Sequence, residues 1–341
     1  MANQTSREAN SNDRPVVSLA SLGGTITMVP ADDGGIVPTL TAEGLIESVP
    51  GLDQIARIRA RTLASLPSGA LSMTDVFAAV EWARGEVDGG AAGVVVIQGT
   101  DTIEETSYLA ELVWDRPEPL VFVGAMRGPA QLSADGPANI AAACLMAASP
   151  DARGTGATVV LDDTIHHAGL VYKAHSTALA AFESYDGLKL GRVIEGKVHL
   201  RSFERPGRPI DATGFSAGFV PLWSTWLGDD GTALRAVAKL GPAGVVVAGF
   251  GAGHVPPGVA GVITELAAGC PVVSCTRIGS GGAMRKTYGY EGAEIDLQRR
   301  GAIISGVLDG PKSRVLLALL TGIGATHQQI VEEFAVRSRF W

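Results

Sequence analysis

Short apolar runs, separated by glycine, proline and small polar residues, recur along most of the chain. The run at 93–97 contains three adjacent valines, a pattern typical of a parallel strand buried on both faces. Thr102 and Glu105 follow it with the spacing of a capping box, which predicts the start of a helix over 103–114. Together these segments predict one β–α unit of a parallel sheet.

The same alternation of strand and helix continues on both sides of this unit. The apolar pattern predicts strands at 16–21, 55–63, 120–123, 159–161 and 169–172, and helices at 41–48, 74–84 and 139–148. Alternation at this spacing favours an α/β fold with a doubly wound, mostly parallel sheet and right-handed crossovers.

A second, smaller α/β domain is predicted in the last third of the chain. It follows a stretch rich in proline and glycine, and its shorter alternation predicts strands at 244–248 and 271–275 and helices at 258–268, 294–300 and 313–321. We therefore expect a disordered tail (1–14), a large N-terminal catalytic domain (15–204), a linker (205–215) and a C-terminal α/β domain (216–341).

Composition narrows the choice of partners and compartment. With 341 residues, 46% of them hydrophobic, the chain can bury a sizeable core. Its net charge of −8 argues against nucleic acid and anionic membranes as partners. No apolar stretch reaches the ~18 residues that a membrane span needs. The polar first 15 residues lack the apolar region of a signal peptide, which predicts a cytoplasmic protein.

The cysteines and glycine motifs give no sign of a metal or a cofactor. Cys144, Cys270 and Cys275 have neither CxxC nor zinc-type spacing, and we expect them to be small core residues in a reducing compartment. The GxGxG stretch at 249–253 lacks the third glycine and the downstream acid of a dinucleotide site. We therefore expect neither a metal nor a cofactor.

Polar residues follow several predicted strands, at the edge where open α/β sheets bind ligands. Two glycines precede the threonine after the first strand, and glycine allows the backbone to approach a ligand closely. The residues expected at or near strand ends of this sheet are Thr25, Ser68, Thr100, Asp101 and Lys173.

A threonine nucleophile is one chemistry that these residues could support. A threonine hydroxyl needs a neighbouring base. Lys173, if it lies close to Asp101, could act through Thr100 as a Thr–Lys–Asp relay, and backbone N–H groups near Thr25 and Gly99 could stabilise an oxyanion. A capped turn and a solvated lysine would explain the same residues without any chemistry.

The histidines do not indicate a second centre. Those at 166, 167, 175 and 254 accompany no nucleophile and acid in the sequence. We interpret His175 and His254 as turn residues.

Several collinear motifs are similar to those of one enzyme family. They are Gly23-Gly24-Thr25-Ile26, Gly99-Thr100-Asp101-Thr102 with Glu104-Glu105-Thr106, Gly124-Ala125-Met126-Arg127, Ser133-Ala134-Asp135-Gly136-Pro137, the Lys173 segment and Ala293-Glu294-Ile295-Asp296. With these motifs, over roughly 16–334, the chain resembles the bacterial-type L-asparaginases and glutaminase-asparaginases.

The resemblance implies hydrolysis of L-asparagine to L-aspartate and ammonia, without metal or cofactor. Thr25 matches the nucleophilic threonine that forms the acyl-enzyme in this family. Thr100, Asp101 and Lys173 match its second-threonine triad.

The resemblance also implies how the substrate is held and how the subunits assemble. Ser68 matches a serine that holds the substrate α-carboxylate, and Asp101 also contacts the α-ammonium. Glu294 resembles an acidic residue that reaches in from a neighbouring subunit, so the implied active unit is at least a homodimer and usually a tetramer. The expected substrate-binding set is Gly24, Ser68, Gly69, Gly99, Thr100, Asp101, Tyr288 and Glu294.

The chain departs from the family pattern around the nucleophile. The family's lid commonly carries a tyrosine, whereas the first tyrosine here is Tyr108, and Gly35 lies near the matching place. Tyr288 and Tyr290 precede Glu294 closely, and a phenol can pass or polarise a threonine proton. We predict that Tyr290 serves catalysis, with Tyr288 as the second choice; the alternative is that both rings only pack an interface.

Two smaller departures accompany the missing tyrosine. Gly69 stands where many relatives have glutamine. Gln98 replaces a histidine before the second threonine motif, which we interpret as a change behind the site.

Three other functions are compatible with the same fold. One is a broad glutaminase-asparaginase, and another is a non-catalytic relative that binds an amino acid. The third is the amidase-like subunit of a tRNA-dependent amidotransferase. The acidic net charge argues against that last role, because it would need a basic surface facing RNA.

Overall fold

The computed structural model describes residues 14–24, 26, 28–30, 36–38 and 41–338. The described chain forms two compact units. The first consists of 14–110, 114–183 and 189–203, and the second of 111–113, 184–188 and 204–338. The predicted tail lies almost wholly outside the described residues.

Residues up to 200 supply the following strands and helices. In chain order they are β1 (Val16–Ser21), β2 (Met28–Pro30), β3 (Ile36–Pro38), α1 (Ala42–Glu47), α2 (Leu52–Ile55), β4 (Arg57–Thr62), α3 (Met73–Asp88), β5 (Gly93–Ile97), α4 (Ile103–Val113), β6 (Leu120–Val123), α5 (Gly136–Ala148), β7 (Ala157–Leu161), β8 (Thr164–His167), β9 (Val171–Lys173), β10 (Phe182–Ser184), β11 (Gly191–Ile194) and β12 (Lys197–Leu200). Short 3₁₀ turns occur at Ser68–Ala70, Thr100–Thr102, Pro150–Ala152 and Tyr185–Gly187.

The first unit is organised around a mainly parallel sheet with strand order β12-β11-β8-β7-β6-β5-β1-β4. The strands from β7 to β4 in this order pair in parallel. All residues of β5 are buried, because β1 and β6 pair with its two edges while helices cover the sheet. Val17, Leu19 and Val95 face a core with α1, α2 and α5, whereas α3 packs on β1 and β5 outside that core. The predicted α/β sheet is confirmed.

Two hairpins give this sheet an antiparallel end that the sequence interpretation missed. β7 and β8 are joined through Asp162 and Asp163, which have φ of 49° and 53°. β11 and β12 are joined through Glu195 and Gly196, which also have positive φ. Positive φ at both central residues defines a type I′ turn, whose twist suits a hairpin.

The strand predicted at 169–172 does not belong to the large sheet. β9 pairs with β10 in a separate two-stranded sheet. The expectation that Lys173 lies at a strand end of the main sheet is therefore wrong, although Lys173 does end a strand.

The second unit is the smaller α/β layer predicted for the C-terminal part. Its elements are β13 (Leu222–Ser224), α6 (Thr232–Ala238), β14 (Val245–Gly249), α7 (Pro257–Ala267), β15 (Val272–Thr276), α8 (Glu294–Arg299), β16 (Ala302–Ile304), α9 (Gly310–Gly322) and α10 (His327–Arg337). The strands form a parallel sheet in the order β13-β14-β15-β16. This arrangement confirms a second α/β domain.

None of the helices within 41–338 is long and apolar enough to cross a membrane.

Candidate active site

Three turns of the first unit meet at the carboxyl ends of β1, β4 and β5. Gly24 has a φ of +93°, and a Cβ there would overlap the backbone N of Gly99. A Cβ on Gly99 would in turn lie 2.8 Å from Ser68 Oγ. Glycine is therefore required at positions 24 and 99, because the loops after β1, β4 and β5 approach one another too closely to leave room for a Cβ. The close approach of these glycines to a ligand stays a prediction.

The predicted Thr–Lys–Asp group is brought together beside this junction. Lys173 Nζ lies 2.9 Å from Thr100 Oγ1 and 2.6 Å from Asp101 Oδ1. Thr100 is 6% exposed, whereas the Asp101 side chain is 77% exposed. One amine thus links a buried hydroxyl to a carboxylate that faces solvent.

The backbone that carries these groups is fixed by its own contacts. The N–H of Lys173 donates to Glu104 Oε2 on the first turn of α4 at 2.8 Å. Buried Gln98 donates to the carbonyl of Gly99 and accepts from Thr106 Oγ1 at 2.8 Å. Both ends of the Gln98 amide are therefore used behind the site, as expected for this departure from the family pattern.

The predicted capping box at the start of α4 is wrong. The Thr102 hydroxyl donates to the carbonyl oxygen of Ser68 at 3.0 Å. Residues Thr100–Thr102 form a 3₁₀ turn that leads into α4. A tertiary contact has replaced the local cap, and it ties the Ser68 turn to the Thr100 turn.

Two further family motifs have a structural use here. The Asp135 carboxylate accepts from the N–H groups of Met126 and Arg127, both at 2.9 Å. Asn139 donates to the carbonyl of Gly124 at 3.0 Å. A Cβ on Gly124 would lie 2.9 Å from Thr100 Cγ2, so these contacts fix the loop after β6 against the Thr100 turn.

An open cavity of about 310 Å³ lies next to the Lys173 group. It is lined by Asp101, Lys173, Ala174, His175 and Ser176. His175 Nδ1 accepts from the N–H groups of the two residues that close its turn, Thr177 and Ala178. His175 is thus a turn residue, as predicted.

Thr25, the predicted nucleophile, lies outside the described residues, and so does Gly35. Gly69 lies in the Ser68–Ala70 turn, where an added Cβ would meet open space.

Glu294, in the second unit, is buried and hydrogen-bonded within the chain. It is 1% exposed. Its Oε1 accepts from the N–H groups of Thr287 at 2.7 Å and Tyr288 at 2.6 Å, and its Oε2 lies 3.0 Å from His254 Nε2. Burial raises the pKa of this carboxyl, but the N–H groups of Tyr288, Glu294 itself and Thr287, together with His254, outweigh it and hold the pKa below its ordinary value.

His254 links Glu294 to one of the predicted tyrosines. Its Nδ1 lies 2.7 Å from the hydroxyl of Tyr290. The backbone of His254 pairs with Phe250 in a turn, as expected, but the interpretation as a turn residue missed its side chain. The signal was available: His254 follows β14 and the tyrosines follow β15, and adjacent parallel strands bring their carboxyl-end loops together.

Cys144 and Cys275 are core residues, as predicted, whereas Cys270 is only partly buried against the core of the second unit. Burial raises the pKa of the Cys144 thiol to about 12. Burial, and then the charge of Asp309, also raise the pKa of the Cys275 thiol, so neither is a thiolate at neutral pH. Within 41–338 and the described residues before it, no group of three His, Cys, Asp or Glu side chains is placed to hold a metal ion.

Comparison with known proteins gives one consistent result. The family profile "Asparaginase, N-terminal" matches residues 16–205, and "Glutaminase/Asparaginase C-terminal domain" matches residues 220–334. An L-asparaginase of Bacillus licheniformis is 30% identical over 89% of this chain and 94% of the relative. A glutaminase-asparaginase of Pseudomonas fluorescens biotype A is 30% identical over 80% of this chain and 76% of its own.

A solved structure agrees with the sequence relatives. The probable cytoplasmic L-asparaginase from Campylobacter jejuni superposes with a TM-score of 0.84 at 29% identity, covering 95% of this chain and 100% of the other. The family motifs that contain Thr100, Gly124, Asp135 and Lys173 lie in the turns that build the Thr100–Lys173 site. The chain belongs to the bacterial-type L-asparaginase family.

Proposed function

We propose that this protein hydrolyses the side-chain amide of L-asparagine to L-aspartate and ammonia through an acyl-enzyme on Thr25. The observation that carries the proposal is the contact of Lys173 Nζ with both Thr100 Oγ1 and Asp101 Oδ1 beside an open cavity. A hydroxyl, an amine and a carboxylate in direct contact can move a proton during acyl transfer.

The reaction has two halves that balance. The Thr25 oxygen bonds to the amide carbon, and the C–N bond breaks as ammonia leaves with the threonine proton. Water then attacks the ester, and one of its protons returns to the Thr25 oxygen. Thr100 and Lys173 relay a proton in these steps, with the carboxylate of Asp101 holding the amine in place.

Backbone groups supply the charge stabilisation. The amide oxygen becomes negative in each tetrahedral intermediate, and preorganised N–H groups stabilise such an oxyanion. The N–H groups near Thr25 and Gly99 fit this role because glycine leaves the backbone open to an approaching ligand.

Ser68 and Asp101 hold the substrate at its α-carbon. Asp101 is largely exposed, so its carboxylate can accept an α-ammonium while it contacts Lys173. Ser68 is buried beside Gly99, where its hydroxyl can donate to an α-carboxylate.

The protein assembles with copies of itself. The family resemblance implies at least a homodimer, and usually a tetramer, in which the Glu294 region completes a neighbour's site. The Campylobacter jejuni structure is named as a cytoplasmic asparaginase, in line with the cytoplasmic location expected from the sequence.

The proposal is tested by ammonia release from asparagine and glutamine, measured side by side. We expect Thr25→Ala and Thr100→Ala each to abolish turnover with the circular dichroism spectrum unchanged, and Thr213→Ala, in an exposed turn, to match the wild type. Higher turnover on glutamine would show a broad glutaminase-asparaginase. A wild-type protein that binds asparagine but releases no ammonia would be the non-catalytic relative and would refute the proposal.

Subunit mixing tests the shared site. Glu294→Ala and Thr25→Ala proteins, inactive alone, should regain activity when dissociated and reassembled together. No recovery in mixed assemblies would show that each site is built from one chain.

A further inference from the structure

One edge of the large sheet carries three arginines on the same face. β4 is the last strand in the order of this sheet and, among the strands that the structure describes, pairs only with β1. Its sequence alternates arginine with smaller residues, and Arg57, Arg59 and Arg61 are all exposed. Because successive side chains of a strand point to opposite faces, these three residues share one face. We refer to them as the arginine stripe.

The other face of β4 packs against the core. Ile58 and Ala60 are half-buried there, against the core that includes residues of α1, α2 and α5. On the side of the stripe, Arg59 Nη1 lies 3.9 Å from Glu86 Oε2 on α3. The same carboxylate oxygen also accepts from the hydroxyl of buried Ser18 at 2.6 Å. Glu86 therefore offsets only part of the stripe's charge, which stays a concentration of positive charge on a chain of net charge −8.

The backbone of the same strand has an unpaired outer edge. In a parallel pair, alternate residues direct both their N–H and C=O groups to the same neighbouring strand. The N–H of Arg57 donates to the carbonyl of Pro15, directly before β1, at 2.9 Å. Ile58 and Ala60, with the opposite parity, therefore direct their N–H and C=O groups away from β1. No described strand pairs with them on that side, and an edge of this kind can pair with another chain.

The charge of the stripe determines which strand can be added. Like charges directly opposite each other on two strands are destabilising. A second copy of β4, added with its faces aligned, would place arginines opposite arginines, so the stripe protects this edge from self-pairing. An extended segment with Asp or Glu at every second position has the opposite charge and the same spacing, ~6.6 Å between residues i and i+2. Charge therefore favours an acidic segment over a second copy.

We propose that the outer edge of β4 is a docking site for an extended acidic segment of a partner protein. The segment adds to the sheet as a further strand, and its backbone groups pair with those of Ile58 and Ala60. Its carboxylates, at alternate positions, bind the guanidinium groups of the arginine stripe. Arginine suits this role because its planar fork binds a carboxylate through two hydrogen bonds. The interaction is separate from the amide hydrolysis and uses no residue of the Thr100–Lys173 site.

The test is the binding of synthetic peptides to the full-length wild-type protein, measured by fluorescence anisotropy. The probe is a labelled, acetylated octapeptide of alternating threonine and glutamate, because threonine favours strands. One control has the same composition but places the threonines and glutamates in pairs, and a second control has lysine in place of glutamate. We expect the alternating glutamate peptide to bind at least ~10 times more tightly than either control, with an affinity that falls as salt is raised.

Charge-removing variants test the role of the stripe. Arg57→Gln, Arg59→Gln and Arg61→Gln, combined in one protein, should weaken binding of the alternating peptide by a factor on the order of 10 or more. A matched variant removes three exposed cations elsewhere and changes the net charge equally. It should bind the peptide as tightly as the wild type does, and it carries Arg201→Gln, Arg208→Gln and Lys239→Gln.

Peptide backbone methylation tests strand addition without altering the protein. In an added strand, only alternate N–H groups face β4. Methylation of the threonine nitrogens and methylation of the glutamate nitrogens should therefore differ, and one of the two peptides should lose binding while the other keeps it.

The inference is overturned if the alternating peptide does not bind the wild type, or binds no better than the paired control. It is also overturned if the stripe variant binds like the matched variant, or if the two methylated peptides behave alike. A single-stranded oligothymidylate that displaces the peptide and binds more tightly would overturn it in favour of a nucleic-acid surface. A change in the mass of the assembly in the stripe variant would overturn it in favour of a contact between copies.

Discussion

Replacing Lys173 with methionine tests the relay more sharply than any other single change. The variant keeps an unbranched side chain of similar length and removes the amine. It therefore deletes the contacts of Nζ with Thr100 Oγ1 and Asp101 Oδ1 together. The Thr100 hydroxyl, which is buried, loses this partner.

The size of the effect separates two views of Lys173. A positioned proton-transfer group contributes about 10²–10⁴ in rate, or ~3–5 kcal/mol at ~1.4 kcal/mol per tenfold. An ion pair with a carboxylate as exposed as Asp101 is worth about 0–1 kcal/mol, less than a factor of ~10. The relay therefore predicts a loss of kcat at least ten times larger than the ion pair alone.

The assay is steady-state ammonia release, with kcat and KM obtained separately. Lys173→Arg keeps the positive charge but cannot give up a proton, so we expect it to lose kcat as well. Lys197→Met, at an exposed lysine of β12, is the matched control and should keep wild-type kcat. The reasoning would be refuted by a kcat of Lys173→Met within tenfold of wild type, or by full activity of Lys173→Arg.

Two further predictions concern the stability of the first unit. Gly24→Ala should lower the melting temperature clearly more than Gly51→Ala, because both positions have positive φ but only a Cβ at Gly24 overlaps the Gly99 backbone; equal shifts would contradict this. Burial, assisted by Lys189, lowers the pKa of His166 from 6.5 to about 4. Between these two pH values, the unfolded state thus binds more protons at this histidine than the folded state does. The contribution of His166 to the free energy of unfolding should be fully present above pH ~6.5 and should fall by up to ~3 kcal/mol as the pH drops to ~4. Urea unfolding of His166→Gln should show a flatter pH dependence, and an unchanged one would contradict the assignment.

Most of the parallel strands could be predicted because they are short, apolar and followed by turn residues, but β13 and β16 of the second sheet were missed. β5 and β6 begin and end at the predicted residues. The antiparallel strands β8, β11 and β12 were missed because they carry polar or charged residues. Their turns, Asp162-Asp163 and Glu195-Gly196, also differ from the asparagine–glycine pair that usually signals a type I′ hairpin.

The candidate site was predictable where strand ends could be identified. This reasoning identified Ser68, Thr100 and Asp101, but the contact of Thr100 with Lys173 joins positions 73 residues apart. Local motifs do not encode such a contact; the residues alone made it one possibility, and the resemblance to a family favoured it. Thr102 shows the converse, since its capping motif was present but its hydroxyl bonded to a distant carbonyl.

The His254–Tyr290 bond was not predicted, for a related reason. The two residues are 36 positions apart and belong to loops after neighbouring strands. The strand-end argument, applied to the large sheet, was not applied to the smaller one. Applied to the smaller sheet, the same argument would have predicted that the loops carrying His254 and Tyr290 lie close together.

Trapping the acyl-enzyme tests the central claim most directly. Wild-type protein is mixed with asparagine, quenched rapidly in acid and digested, and the peptides are analysed by mass spectrometry. The account predicts an aspartyl ester on Thr25 that is absent from Thr25→Ala protein. Ammonia release accompanied by an aspartyl group on Thr100 or Tyr290, or by no covalent adduct in a quench fast enough to sample the first turnover, would contradict it.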